Sequence, residues 1–187
     1  MTGDVYTLPE GLPVPQDDGA CDHLLGLSMP ALTLDSSRGP VALRALAVGR
    51  LVLYVYPRTG KPGRPTPVGW DAIPGARGCT PQSCAFRDHQ AELQRLGADV
   101  AGLSAQPLEE QVEFAERNHI PYPAIADPER RLGEALQLPT FEFEGAVLYR
   151  RVTLVFESAH VAKVFYPVFP PDRNAAEVLA WLEGRGA

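Results

Sequence analysis

Two cysteines with the potential for redox chemistry, Cys79 and Cys84, stand close together in the segment Gly78-Cys-Thr-Pro-Gln-Ser-Cys84-Ala-Phe-Arg-Asp88. Thr80-Pro81 is typical of a helix start, because threonine caps helices and proline is tolerated at the first helical position. The unpaired N–H groups and positive dipole end of such a helix stabilise an anion. A cysteine there is favoured as the thiolate, its nucleophilic form, so the segment predicts that Cys79 is a redox nucleophile.

Cys84 follows five residues later in the same predicted helix, which we expect to run to Leu96. Cα atoms at this separation in an ideal α-helix lie about 8.7 Å apart. A disulfide requires Cα atoms within about 7 Å of each other. A Cys79–Cys84 bond therefore requires the first helical turns to unwind, which predicts a folded reduced form and a locally unfolded oxidised form.

The composition excludes several classes of protein. The chain has 187 residues, a net charge of −6 and three cysteines. The length suits one domain, and three cysteines are too few for a scaffold held together by disulfides. The acidic balance argues against a nucleic-acid partner. No signal peptide is visible in residues 1–16, and no apolar stretch approaches 18 residues, so we expect a cytoplasmic protein without a membrane partner.

Strands and helices are predicted to alternate around the two cysteines. Residues 51–56 are apolar or aromatic throughout, as in a buried central strand. Further strands are predicted at residues 29–34, 99–103, 122–126, 152–156 and 161–169, and further helices from Pro107, after Pro128 and over residues 172–183. This alternation indicates an α/β fold with helices on both faces of a sheet, and the final hairpin and helix are typical of a thioredoxin-like core.

The chain divides into a proline-rich N-terminal extension, residues 1–26, and a domain over residues 27–187. Within the domain, residues 58–78 form a long loop with four prolines and five glycines. Loops of this length in compact domains are usually functional. We therefore expect the loop to bear on the chemistry of Cys79, which follows it directly.

Several segments together resemble the peroxiredoxins of the bacterioferritin comigratory protein type, also called peroxiredoxin Q, in the AhpC/TSA superfamily. The resemblance rests on Tyr54-Val-Tyr-Pro57, on the segment with both cysteines, and on Gly102-Leu-Ser104, Ile120-Pro-Tyr-Pro123 and Arg151-Val-Thr153. It spans roughly residues 27–182 and implies a thioredoxin-like fold with a mixed central sheet flanked by helices.

The resemblance also implies a thiol peroxidase of the atypical 2-Cys kind, which reduces hydrogen peroxide and organic hydroperoxides. Cys79 would become a sulfenic acid, Cys84 would condense with it into an intramolecular disulfide, and a thioredoxin-type dithiol would restore both thiols. Arg151 would hold the thiolate and polarise the peroxide, and Arg150 would do so if the register shifts by one. No cofactor or metal is implied, and the subtype implies a monomer.

The chain departs from the family motif at one position. The motif places a threonine three residues before the nucleophile, where this chain has Ala76, and about 15 residues are inserted between Pro57 and Cys79. Thr59 is predicted to supply the missing hydroxyl, with Thr66 as the second candidate. The insertion, including Trp70, is expected to shape or cover the entrance to the site.

Two other functions stay open on the residues alone. A thiol–disulfide oxidoreductase with this fold would carry Cys-x-x-Cys and a proline just before the strand near Val152, and the chain has neither. A zinc or redox-sensing module could draw on Cys21, His23, Cys79 and Cys84, with His89 as a substitute. Cys21 otherwise has no motif partner, so we interpret it as a bystander.

Overall fold

Strands and helices alternate along the chain, and a computed structural model describes them for residues 4–185. The strands are β1 (Thr33–Leu34), β2 (Val41–Ala42), β3 (Arg50–Val55), β4 (Ala98–Ser104), β5 (Ala124–Ala126), β6 (Thr140–Phe143), β7 (Ala146–Tyr149), β8 (Val152–Glu157) and β9 (His160–Phe165). The helices are α1 (Leu43–Leu46), α2 (Cys79–Asp88), α3 (Gln90–Arg95), α4 (Leu108–Arg117), α5 (Arg131–Leu136) and α6 (Asn174–Glu183), with short 3₁₀ turns at Trp70–Ala72 and Pro171–Arg173.

A five-stranded mixed sheet forms the centre of the fold, in the order β5-β4-β3-β8-β9. The predicted central strand, β3, is parallel to β4 and antiparallel to β8. In this register Tyr54 lies opposite Gly102 on one side and Thr153 on the other. The predicted α/β class with a mixed, helix-flanked, thioredoxin-like sheet is confirmed.

The two faces of the sheet bury two separate cores. Side chains alternate between the faces of a strand, so Leu51 and Leu53 pack into one core together with Cys21. Tyr54 and Tyr56 point into the opposite core, which contains Cys79 and Phe86 of α2. The sheet therefore separates Cys21 from Cys79.

The structure corrects three sequence-based expectations. The helix predicted from residue 80 to residue 96 is two helices, α2 and α3, which meet at His89, and α2 begins at Cys79 with Gly78 as its cap. The β6–β7 hairpin was not predicted, although Phe141 and Phe143 alternate with Thr140 and Glu142 as in a half-buried strand. The strand predicted over residues 161–169 ends at Phe165, since Pro167 and Pro170 lack the N–H that a ladder needs.

Among residues 4–185, no helix has the length and apolar character needed to cross a membrane.

Gly78 fixes how the chain enters α2. Its backbone is left-handed, with φ of 103°, a region that favours glycine. A Cβ atom at this position would lie 2.4 Å from Cγ of Pro171 and 2.7 Å from Cδ2 of Leu8. Only a residue without a side chain satisfies both constraints, so Gly78 determines where the Cys79 backbone sits.

Replacing Gly78 by alanine tests this constraint. The left-handed backbone costs about 1–2 kcal/mol for a residue with a Cβ, and relieving the contacts with Pro171 and Leu8 raises the expected loss of unfolding free energy to about 3 kcal/mol. Urea unfolding of Gly78→Ala measures the loss. Gly97→Ala is the control, because Gly97 also has a positive φ, 72°, but a Cβ added there would meet no atom within 4 Å. Equal losses in the two variants would contradict the packing argument.

Candidate active site

Cys79 is the first residue of α2 and is buried, with 3% of its surface exposed. The helix begins there because the left-handed Gly78 turns the chain, and the Gly78 carbonyl accepts a hydrogen bond from Gln82 N at 3.0 Å. The Cys79 side chain packs in the core that holds Tyr54 and Tyr56. The thiol thus lies at the positive end of a ten-residue helix, where a thiolate is stabilised.

Arg151 lies directly against this thiol. Its Nη2 atom donates to Cys79 Sγ at 3.2 Å. Arg151 precedes β8 by one residue and shares a sheet face with Thr153, because strand side chains alternate. Arg150 therefore points the other way, where its Nη1 donates to Asp18 Oδ2 at 2.7 Å near the surface. The structure brings Arg151, and not Arg150, to Cys79.

The Arg151 guanidinium is 3% exposed and is held by polar groups without formal charge. It donates to the carbonyl oxygens of Gly75, Ala76 and Arg77, each at 3.2 Å, and to Oε1 of Gln82. Among the described residues, no carboxylate forms an ion pair with it. A buried cation without a counter-ion is unfavourable, and Cys79 is the one hydrogen-bond partner of Arg151, among the described residues, that can carry a negative charge.

Gln82 is a site residue that sequence reasoning missed. It lies one helical turn after Cys79, on the same face of α2, and its Oε1 accepts from Arg151. Its Nε2 donates to Oδ1 of Asn174 at 3.0 Å, and this same oxygen accepts from Thr153 Oγ1 at 2.7 Å. The three-residue spacing from Cys79 could have identified Gln82, whereas nothing in the sequence connects Asn174 to the site.

The predicted hydroxyl donors reach the cavity in front of Cys79 but are engaged elsewhere. Thr59 Oγ1 donates to Oε1 of Gln106 at 3.1 Å, and Thr66 Oγ1 accepts from Arg77 Nη1. Both threonines line the cavity, so the role of Thr59 stays a prediction. Thr80, which follows Cys79, also lines it, and its hydroxyl has no hydrogen-bond partner among the described residues.

Cys84 is half-buried in the same helix, and both cysteines are free thiols. Its Sγ lies 3.9 Å from Oδ1 of Asn118. Burial raises the pKa of the Cys84 thiol, against a smaller lowering by the nearby Arg87. The structure is therefore the folded reduced form, with Cys84 held protonated and away from Cys79 by the intact helix.

The residues of the zinc alternative lie apart. Residues 4–185 contain no cluster of three or more His, Cys, Asp or Glu side chains that could hold a metal. His23 Nε2 contacts the Leu136 carbonyl at 2.9 Å, and His89 contacts Glu92 at 2.7 Å. Burial, together with the charges of Asp18, Asp17 and Asp22, raises the pKa of Cys21 to about 12. Cys21 thus lies on the opposite face of the sheet, in surroundings that favour its protonated form.

A helix-start thiol beside a buried arginine, on this fold, defines a thiol-based redox protein. Residues 24–179 match the Redoxin family, and the chain belongs to that family. It is 28% identical over 159 residues to the chloroplastic peroxiredoxin Q of Arabidopsis thaliana, covering 84% of this chain and 66% of that protein. It is 27% identical to the Sedum lineare counterpart, covering 84% and 77%.

Solved structures agree with this assignment. Peroxidoxin BcpB of Mycobacterium tuberculosis superimposes with a TM-score of 0.69 at 26% identity, over 86% of this chain and 96% of that one. Peroxiredoxin Q of Xanthomonas campestris has the same fold, with a TM-score of 0.68 at 24% identity over 86% and 98%. The chain is a peroxiredoxin of the bacterioferritin comigratory protein type, a peroxide-reducing thiol enzyme. The likeness to these peroxiredoxins implies, in general terms, a peroxide substrate and a thioredoxin-type reductant.

Alkylation of the native protein tests the different environments of the three thiols. At about pH 8, a thiol with a pKa of about 12 is ionised in roughly one molecule in ten thousand. We expect iodoacetamide to modify Cys79 first, Cys84 more slowly and Cys21 last, as mapped by peptide mass analysis. In the control, the same reagent in denaturing urea modifies all three cysteines. Early modification of Cys21 in the native protein would contradict this order.

Proposed function

We propose that Cys79 is the peroxidatic cysteine and that Arg151 activates it. The Cys79 thiolate attacks one peroxide oxygen, the O–O bond breaks, and Cys79 becomes a sulfenic acid while the leaving oxygen takes up a proton to form water or an alcohol. The observation that carries this proposal is the 3.2 Å contact between Arg151 Nη2 and Cys79 Sγ at the start of α2. Arg151 offers donors both to the thiolate and to the peroxide oxygen on which charge develops.

The proposal assigns the resolving step to Cys84. Its thiol condenses with the Cys79 sulfenic acid, forming a disulfide and releasing water, and a thioredoxin-type dithiol then reduces that disulfide. Since both cysteines lie within α2, about 8.7 Å apart in an ideal helix, the helix must unwind first. Tyr122 opposes this unwinding, because its hydroxyl donates to the Ser83 carbonyl at 2.9 Å.

The protonation of Cys84 connects unwinding to pH. Its pKa is higher in the folded helix than in an unwound segment, because burial raises it. Protonated Cys84 therefore stabilises the folded helix below the ordinary thiol pKa, and this contribution is lost as pH rises through the folded pKa. Alkaline pH thus favours both the unwound form and the reactive thiolate of Cys84.

The proposal also includes Thr59 as a hydroxyl donor to the peroxide. Thr59 lines the cavity and would supply a hydroxyl to the bound peroxide once Gln106 releases it.

The family subtype supports a monomer, which light scattering of the reduced protein tests. Free cysteines are typical of a reducing compartment, which supports a cytoplasmic location; the names of the plant relatives place those proteins in the chloroplast.

Mass analysis of peroxide-treated protein tests the cysteine roles. One equivalent of hydrogen peroxide should remove about 2 Da from the intact chain by linking Cys79 to Cys84. Cys84→Ser should instead accumulate a sulfenic acid on Cys79 that dimedone captures, and Cys79→Ser should lose peroxide turnover with a dithiol reductant. Cys21→Ser is the control and should behave as the parent. Retained turnover in Cys79→Ser, or a disulfide to Cys21, would overturn the assignment.

Paired substitutions at the two neighbouring arginines test the activation step. Arg151→Lys removes the planar fork that contacts thiolate, carbonyls and Gln82 together, and we expect sulfenic-acid formation to slow about 100-fold. Arg150→Lys is the matched control, because Arg150 forms a surface ion pair with Asp18, and its rate should change less than twofold. Stopped-flow oxidation with hydrogen peroxide measures both. Similar rates in the two variants would remove Arg151 from the mechanism.

A further inference from the structure

The cavity in front of Cys79 has a volume of about 330 Å³, and the inserted loop supplies most of its wall. Four of its lining residues are cationic, although the protein as a whole carries a net charge of −6. The four are Arg58, Lys61, Arg64 and Arg77, and among the described residues Glu110 is the single carboxylate of the lining. Positive charge is therefore concentrated at the opening that leads to the nucleophile.

Two of these cations are already neutralised. Arg77 pairs with Asp71 at 3.2 Å. Arg58 lies 3.7 Å from the Glu144 carboxylate, and its guanidinium stacks over Trp70 at 4.9 Å from the ring centroid. These contacts brace the wall of the cavity and leave little charge for a ligand.

Lys61 and Arg64 differ from Arg58 and Arg77, because the side chain of neither forms an ion pair or a hydrogen bond with any residue in the range 4–185. The lining carboxylate, Glu110, accepts a hydrogen bond from Gln106 Nε2 at 2.6 Å. The side-chain charges available to a ligand at the mouth are thus two cations against one anion. In a cleft with low-dielectric walls such an excess attracts and orients anions.

The lining also includes the threonines Thr59, Thr66 and Thr80 and an apolar group formed by Val5, Pro65, Pro67 and Trp70. A ligand that matches this cavity carries an apolar body and an anionic end, and the volume suits a small molecule rather than a long lipid chain. We propose that the inserted loop selects small organic hydroperoxides that bear a carboxylate, with Lys61 and Arg64 binding the carboxylate while the hydroperoxide group reaches Cys79. This inference rests on the peroxidase function proposed above.

The chemistry at sulfur is unchanged by this selection. The Cys79 thiolate is oxidised by two electrons to the sulfenic acid, the O–O bond is reduced, and the released alkoxide takes up a proton to leave a hydroxy acid. The carboxylate serves only as a binding group. Its contribution should therefore appear in kcat/KM for charged substrates and not in the turnover of hydrogen peroxide, which has no carboxylate.

Substrate competition measures the selection. The full-length protein is assayed with a tertiary hydroperoxide bearing a terminal carboxylate, with its methyl ester, and with hydrogen peroxide. We expect kcat/KM for the acid to exceed that for the ester about tenfold at low salt, because two cations attract the carboxylate and the ester carries no charge. The preference should fall as sodium chloride is raised, because salt screens exposed charges.

The variant Lys61→Ala/Arg64→Ala should lose the acid-over-ester preference and retain its hydrogen peroxide turnover. Arg38→Ala/Arg95→Ala is the matched control, since it removes the same charge from exposed positions away from the cavity lining, and it should retain the preference. Equal rates for acid and ester in the parent, or a preference that persists in Lys61→Ala/Arg64→Ala, would overturn this inference. Absence of turnover with all three peroxides would instead overturn the proposed function.

Discussion

The burial of the Arg151 guanidinium is the constraint on which the site depends. Taking a cation out of water costs several kcal/mol unless its donors are satisfied and its charge is balanced. Here the donors are satisfied by three carbonyls of the turn at residues 75–77 and by Gln82. None of these groups carries a charge, so a Cys79 thiolate is the one hydrogen-bond partner that can balance the guanidinium. Structural stability and nucleophilicity thus come from the same contact.

This constraint conflicts with the Cys79–Cys84 disulfide that we propose completes the cycle. An intact α2 places Cys79 and Gln82 against Arg151, but the same helix keeps Cys84 out of reach of Cys79. Oxidation of Cys79 removes the thiolate that balanced Arg151, which weakens the reason for the helix to remain folded at its start. In the proposed cycle the helix is therefore more stable before Cys79 reacts than afterwards, which is the order that resolution by Cys84 requires.

Much of this arrangement could be predicted from the sequence, for identifiable reasons. The apolar strand around Leu53, the helix start at Cys79 and the choice of Arg151 depend on local periodicity and on a family pattern that one chain displays. Gln82 could have been found from its spacing to Cys79. The contribution of Asn174 could not, because it is brought to Gln82 and Thr153 by the packing of α6. The β6–β7 hairpin was overlooked although Phe141 and Phe143 alternate with polar residues; what the sequence could not show is that their side chains pack against Trp70 of the inserted loop.

The inserted loop explains why a break in the motif is tolerated. Trp70 of the loop packs edge-on against Phe143 at 5.0 Å between ring centroids and shares a small core with Ala76 and Leu148. This core anchors the loop just before the turn at residues 75–77, whose carbonyls hold Arg151. Since the entropy cost of a loop grows only slowly with its length, added residues upstream of that anchor leave the carbonyl positions unchanged. The insertion therefore alters the approach to Cys79, by lining it with cations, while the groups that we propose activate the thiol stay in place.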